Sequence, residues 1–152
     1  MVSRSLSRIA AFGIACVIGT AYAASPGVCD LGRKRGGLTL YAVEGTPIGG
    51  GESQILADVD GDGIADKIVV LNNGSGSIIP ADLDVVTVTL SATDQTLTLE
   101  EQRLHVVKYQ STYFVVTGRA ETDKGPFHTD IYRIGPKAIT RICSFTPPRF
   151  GE

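Results

Sequence analysis

Apolar and polar residues alternate with a period of two through most of the chain, and that period commits it to strands. In an extended chain successive side chains point to opposite faces, so Val86, Val88 and Leu90 share one face while Thr87 and Thr89 share the other. β-branched residues are plentiful, which suits a pleated, half-buried surface. The pattern predicts strands over Leu38 to Val43, Lys67 to Leu71, Asp84 to Ser91, Leu104 to Tyr109, Tyr113 to Glu121, Phe127 to Ile134 and Ala138 to Phe145. Thr96 to Arg103 alternates in its first half and is read mostly as strand, although Glu100-Glu101-Gln102-Arg103 could close a helical turn. Short turn signals separate the later strands: Gln110-Ser111-Thr112, Asp123-Lys124-Gly125-Pro126 and Gly135-Pro136-Lys137. Such connections pair strands antiparallel. The expected fold is therefore all-β, a small antiparallel meander arranged as a sandwich or a partly open barrel.

The N-terminus reads as an export signal. Arg4 and Arg8 give it a positive start, residues 9 to 19 form an apolar run, and Ala21-Tyr22-Ala23 supplies the small residues a signal peptidase requires. Cleavage is expected after Ala23. An apolar run of about a dozen residues falls short of the roughly 20 that span a bilayer. Cys16 raises the alternative of a lipoprotein signal, but Gly13-Ile14-Ala15 before it lacks the usual leucine. Removing residues 1 to 23 from 152 leaves 129, a size that fits one domain, 24–152. The whole chain carries 14 Lys and Arg against 16 Asp and Glu; losing Arg4 and Arg8 leaves 12 against 16, a net charge near −4. That balance argues against nucleic acid as a partner. The one basic cluster, Arg33-Lys34-Arg35, is read as a solvated turn.

Of three cysteines, Cys16 departs with the signal, leaving Cys29 and Cys143 near the two ends of the mature chain. In an oxidising compartment such a pair favours a disulfide over two free thiols. A catalytic thiol is the competing reading, and neither cysteine stands in a recognisable nucleophile motif. The expected location is accordingly periplasmic or secreted.

Residues 58 to 66 read Asp58-Val59-Asp60-Gly61-Asp62-Gly63-Ile64-Ala65-Asp66. Calcium takes six to eight oxygen ligands, and a short loop can wrap it when carboxylates alternate and glycines permit a tight backbone path. Asp58, Asp60, Asp62 and Asp66 are the candidate side-chain ligands, and Ile64 would offer its backbone carbonyl. The alternative is an exposed acidic turn with no ion. An EF-hand is excluded because its bidentate Glu at position 12 is replaced by Val69 and a strand follows. Gly49-Gly50-Gly51 and Asn72 to Ser77 are expected to be flexible connections on either side of the loop; the Gly-Ser stretch lacks the lysine of a phosphate-binding loop.

The segment ILADVDGDGIADKIVVL, residues 55 to 71, resembles the calcium loop of FG-GAP and VCBS-type repeats, in which DxDGDGxxD runs straight into an apolar strand. The resemblance implies calcium held by Asp58, Asp60, Asp62, Ile64 through its carbonyl, and Asp66. It covers one loop only, and a propeller of four or more blades at roughly 40 residues each does not fit in this chain. The adhesive functions of full propellers do not transfer with the loop.

Nothing in the sequence assembles a catalytic motif. His105 and His128 both fall in predicted strands, no GxSxG or zinc spacing occurs, and Glu100 and Glu101, being adjacent on a strand, point to opposite faces. The favoured reading is an exported calcium-binding β domain, not an enzyme, that binds a protein or a cell-envelope glycan and keeps no membrane anchor once its signal is removed. Size, compartment and architecture also suit an envelope inhibitor of a lysozyme-type hydrolase. A calcium-dependent hydrolase is the third reading, and it requires further carboxylates or histidines beside the loop in space.

Overall fold

The computed structural model of the chain describes residues 26–34, 38, 41–73, 83–120 and 127–146. The expected export signal, Arg35, the Gly-Ser stretch at 74–77 and the turn expected at 123–126 lie outside those residues. Among the described residues nine strands are defined: β1 (Thr46–Gly49), β2 (Glu52–Ala57), β3 (Asp66–Leu71), β4 (Asp84–Leu90), β5 (Gln95–Glu101), β6 (His105–Tyr109), β7 (Thr112–Ala120), β8 (Phe127–Ile134) and β9 (Ile139–Phe145). They make a five-stranded sheet in the order β1-β2-β3-β4-β5 and a four-stranded sheet in the order β6-β7-β8-β9, antiparallel throughout. The expected meander thus occurs twice, and neither copy closes into a barrel.

The period-two pattern decides what lies between the sheets. Val86, Val88 and Leu90 are 0 %, 0 % and 1 % exposed. They pack with Ile55, Ile68, Val70 and Leu97 of their own sheet against Val106, Val115, Tyr132 and Ile134 of the other. This is the main apolar core, and each of its fully buried aliphatic side chains contributes about 1.5–3 kcal/mol.

A second core lies on the outer face of the four-stranded sheet. It is covered by α1 (Pro26–Arg33), a helix that the strand pattern did not predict. Val28 of α1 packs with Leu38, Val107, Phe114, Val116 and Ile131, and the Cys29–Cys143 disulfide ties the helix to β9. Eight residues containing two glycines cannot sustain a helix alone, so packing and the disulfide must hold it. Gly32 lets it sit close: a Cβ there would lie 2.8 Å from Ile131 Cδ1 and 2.9 Å from Leu38 Cδ1 and Phe145 Cζ. Of the basic cluster, Arg33 ends α1 in an exposed ion pair with Asp30 at 3.0 Å, worth little in solvent.

Other differences from the sequence reading concern the N-terminal half. The strand expected over Leu38 to Val43 is reduced to a single bridge, Ala42 to Val107, and a hydrogen bond from Val43 N to Val106 O; residues 39–40 lie outside the described set. Gly49, Gly50 and Gly51 are not an open connection but a hairpin turn, all three at positive φ, joining β1 to β2. The Gln110-Ser111 turn joins β6 to β7 with φ of 47° and 64°, the left-handed pair that matches strand twist.

Tyr132, 8 % exposed, donates to Glu101 Oε1 at 3.1 Å, linking β8 to β5. Burial first, then the Glu101 charge and hydrogen bond, push its pKa up to about 12 from 10.0. Folding therefore favours the protonated phenol, so this contribution is complete below pH 10.0 and is lost as pH rises toward about 12. Tyr132→Phe is expected to cost about 1–2 kcal/mol in urea unfolding below that window. The gap between the two proteins should narrow as pH climbs through it, and a gap independent of pH would contradict the assignment.

Candidate metal centre

The acidic loop closes the β2–β3 hairpin between Ala57 and Asp66. Gly61 and Gly63 both adopt φ of 86°, a conformation that side-chain-bearing residues resist, and this lets the chain coil tightly. The aspartates fold the backbone onto themselves. Asp58 Oδ1 accepts from Gly61 N at 2.7 Å and its Oδ2 from Gly63 N at 3.0 Å. Asp60 Oδ1 accepts from Asp62 N at 3.2 Å, and Asp62 Oδ1 from Ile64 N at 2.7 Å. Short side chains that bond to amides two to five residues on are what favours Asp in such turns.

Asp66 works over a longer range. Its side chain is fully buried, with Oδ2 accepting from Val59 N at 3.0 Å and Oδ1 from Ser91 N at 2.8 Å. Ser91 Oγ returns a bond to Ala65 O at 2.6 Å. The loop is thereby fastened to the turn between β4 and β5.

Asp58, Asp60 and Asp66 each bring a carboxylate oxygen to within 4.8 Å of the others. Two oxygens on opposite sides of one calcium, each bonded at about 2.4 Å, stand about 4.8 Å apart, so the group fits around a single ion. A carboxylate oxygen that accepts one amide still has a lone pair free for a metal. An all-carboxylate set suits a hard divalent cation and not a thiophilic one. The geometry shows a group that can hold a metal ion and does not name the ion. Asp62 lies outside the group, its Oδ1 turned to Ile64 N, and the Ile64 side chain is 51 % exposed. Asp60's carboxyl is pushed above its ordinary pKa by loss of hydration, then by the charges of Asp66, Asp62 and Asp58, against the Asp62 amide bond that lowers it. A bound cation would relieve that repulsion.

The remaining candidates scatter. His105 lines an open cavity of about 320 Å³ with Glu44, Ser53, Ile55, Val70 and Leu104, and burial lowers its pKa against a backbone bond to Arg103. His128 Nδ1 pairs with Thr146 Oγ1 at 3.1 Å. Glu100 is exposed while Glu101 meets Tyr132, the opposite-face arrangement that adjacency on a strand required. Cys29 and Cys143 are joined, as their isolation in the sequence predicted. One residue passed unnoticed: Asp84, 6 % exposed, accepts from Asn73 N and Leu104 N at 3.0 Å each and fastens the start of β4 as Asp66 fastens the start of β3. An aspartate immediately before an alternating run was the available signal.

Fold and site define a class: a two-sheet antiparallel β sandwich, capped by a disulfide-tethered helix and carrying a carboxylate loop on one hairpin. Comparison with known protein families, curated proteins and solved structures returned no match. The disulfide is consistent with an extracytoplasmic location, and among the described residues no helix is long and apolar enough to cross a membrane.

Proposed function

We propose that the protein is an exported calcium-binding β domain that works by engaging a partner in the periplasm or outside the cell, not by catalysis. The observation that carries this reading is the convergence of Asp58, Asp60 and Asp66 within 4.8 Å on a loop braced by its own amides. The all-oxygen set and the resemblance of DVDGDGIAD to FG-GAP and VCBS-type loops favour calcium over smaller cations. Calcium would stiffen one end of the sandwich through Asp66 and Ser91, presenting the neighbouring turns to a protein or a cell-envelope glycan.

Extracellular calcium modules bind with dissociation constants of about 10⁻⁴ to 10⁻³ M. At roughly 1 mM calcium and a constant of about 10⁻⁴ M, linkage contributes about 1.4 kcal/mol, a rise of several degrees in Tm. Titration calorimetry and thermal melts in calcium, magnesium and chelator are the test, with Asp60→Ala expected to erase the calcium-dependent part. Identical melts in calcium and chelator, with no binding heat at millimolar calcium, would sink the metal reading. A pull-down from an envelope extract, with and without chelator, tests the partner separately.

A further inference from the structure

Among the described residues the two open sheets have four edge strands, β1, β5, β6 and β9, and three of them are blunted. β1 has four residues, all exposed, with Pro47 and a register irregularity between Pro47 and Gly49. The free side of β6 is occupied by Ala42 and Val43. β9 carries a register irregularity opposite Ile131 and Tyr132 and is tied to α1 through Cys143. β5 has none of these devices. Its seven residues, Gln95-Thr96-Leu97-Thr98-Leu99-Glu100-Glu101, pair with β4 without a break and contain no proline or glycine. Among the described residues no strand pairs with its other side. A regular strand with one row of backbone N–H and C=O groups unpaired is a template for another strand.

We propose that β5 docks antiparallel against β5 of a second copy of this chain, about a two-fold axis through Thr98, joining two five-stranded sheets into one of ten. The strand is complementary to itself in the one register that uses all seven residues. Thr98 then faces its own copy, Thr96 faces Glu100, Leu97 faces Leu99 and Gln95 faces Glu101. No carboxylate opposes a carboxylate. Leu97 and Leu99 lie on the core-facing side, where they continue the apolar layer from one sandwich into the next. Slipping by two residues one way sets Glu101 against Leu97, and by four sets Glu100 against itself. Slipping the other way avoids the carboxylates but leaves only five or three of the seven residues paired, so charge on one side and lost pairing on the other favour the centred register. A self-complementary patch of this kind closes as a dimer and does not propagate.

Sedimentation equilibrium of the purified protein over a concentration series tests this, run in calcium and again in chelator. A reversible monomer–dimer equilibrium is expected in both, because no residue of the acidic loop contributes to the interface. Thr98→Lys places two ammonium groups face to face at the axis and should weaken the dimer about fivefold or more, while Thr96→Lys meets Glu100 twice per dimer and should tighten it about threefold. Thr96 and Thr98 are exposed, so both variants should keep the wild-type melting profile of the dilute monomer. A wild-type protein that stays monomeric to about 1 mM would overturn the proposal, since strand pairing this regular should be measurable there. So would a pair of lysine variants that move the equilibrium in the same direction.

Discussion

Replacing Cys29 and Cys143 together by serine is expected to lower the unfolding free energy by about 5 kcal/mol, because the disulfide closes one of the longest loops the chain allows. The two cysteines are 114 residues apart in sequence and 6.2 Å apart at Cα. The cross-link removes loop-closure entropy from the unfolded chain, and against a total stability of about 5–15 kcal/mol the loss is a large fraction. A local effect should accompany it. α1 is too short to persist unaided, so freeing Cys29 should let it detach and uncover Val107, Phe114, Val116 and Ile131. Urea unfolding followed by far-UV circular dichroism measures the first effect, and amide exchange at Lys34, whose N bonds to Asp30 O and Leu31 O at the end of α1, measures the second. A cost below about 1 kcal/mol, with α1 still protected, would mean that packing alone holds the helix and that the cross-link does little to the unfolded chain.

The second large effect separates two roles inside the acidic loop. Asp66→Ala should cost about 3 kcal/mol even in chelator, since it strips the acceptor from two backbone amides, Val59 N and Ser91 N, and more in calcium, where the ion loses a ligand as well. Asp60→Ala should behave oppositely. Asp60 is only half-buried and accepts one amide in a field of like charge, so in chelator its removal should change stability by no more than about 0.5 kcal/mol. Its cost should appear only when calcium is added. Thermal melts of the two variants with calcium and with chelator form a four-way comparison. If Asp66→Ala in chelator were as stable as Asp60→Ala, the buried carboxylate would not be what fastens the loop to the β4–β5 turn.

Much of this protein was legible as local pattern. The period of two in Asp84 to Leu90 required a strand with Val86, Val88 and Leu90 inward, and all three are buried. The turn signals at Gln110-Ser111 and Gly135-Pro136-Lys137 required antiparallel neighbours, and β6 to β9 follow in sequence order. Two cysteines remaining once the expected export signal is set aside left one pairing to make, and Cys29 and Cys143 are joined. Of the aspartates at positions 1, 3, 5 and 9 of the loop, those at 1, 3 and 9 bring their carboxylates together.

Other features depended on contacts between residues distant in sequence, which no short window carries. α1 has weak helical propensity and exists because the outer face of the four-stranded sheet is apolar and Cys143 holds its partner there. β1 is exposed at every position, so no alternation marks it, and only its pairing with β2 makes it a strand. Asp62 reads like its neighbours in the loop, yet its carboxylate turns to Ile64 N and leaves the group of three. Asp66 and Asp84 look like ordinary acidic residues until Ser91 and Leu104, 25 and 20 positions further on, bring their amides to them. Sequence by itself determined which way the side chains of the alternating strands face, as in β4, because that follows from backbone period alone. Tertiary structure decided which buried donors meet which acceptors, because a carboxylate taken out of water must find its partners wherever the folded chain supplies them.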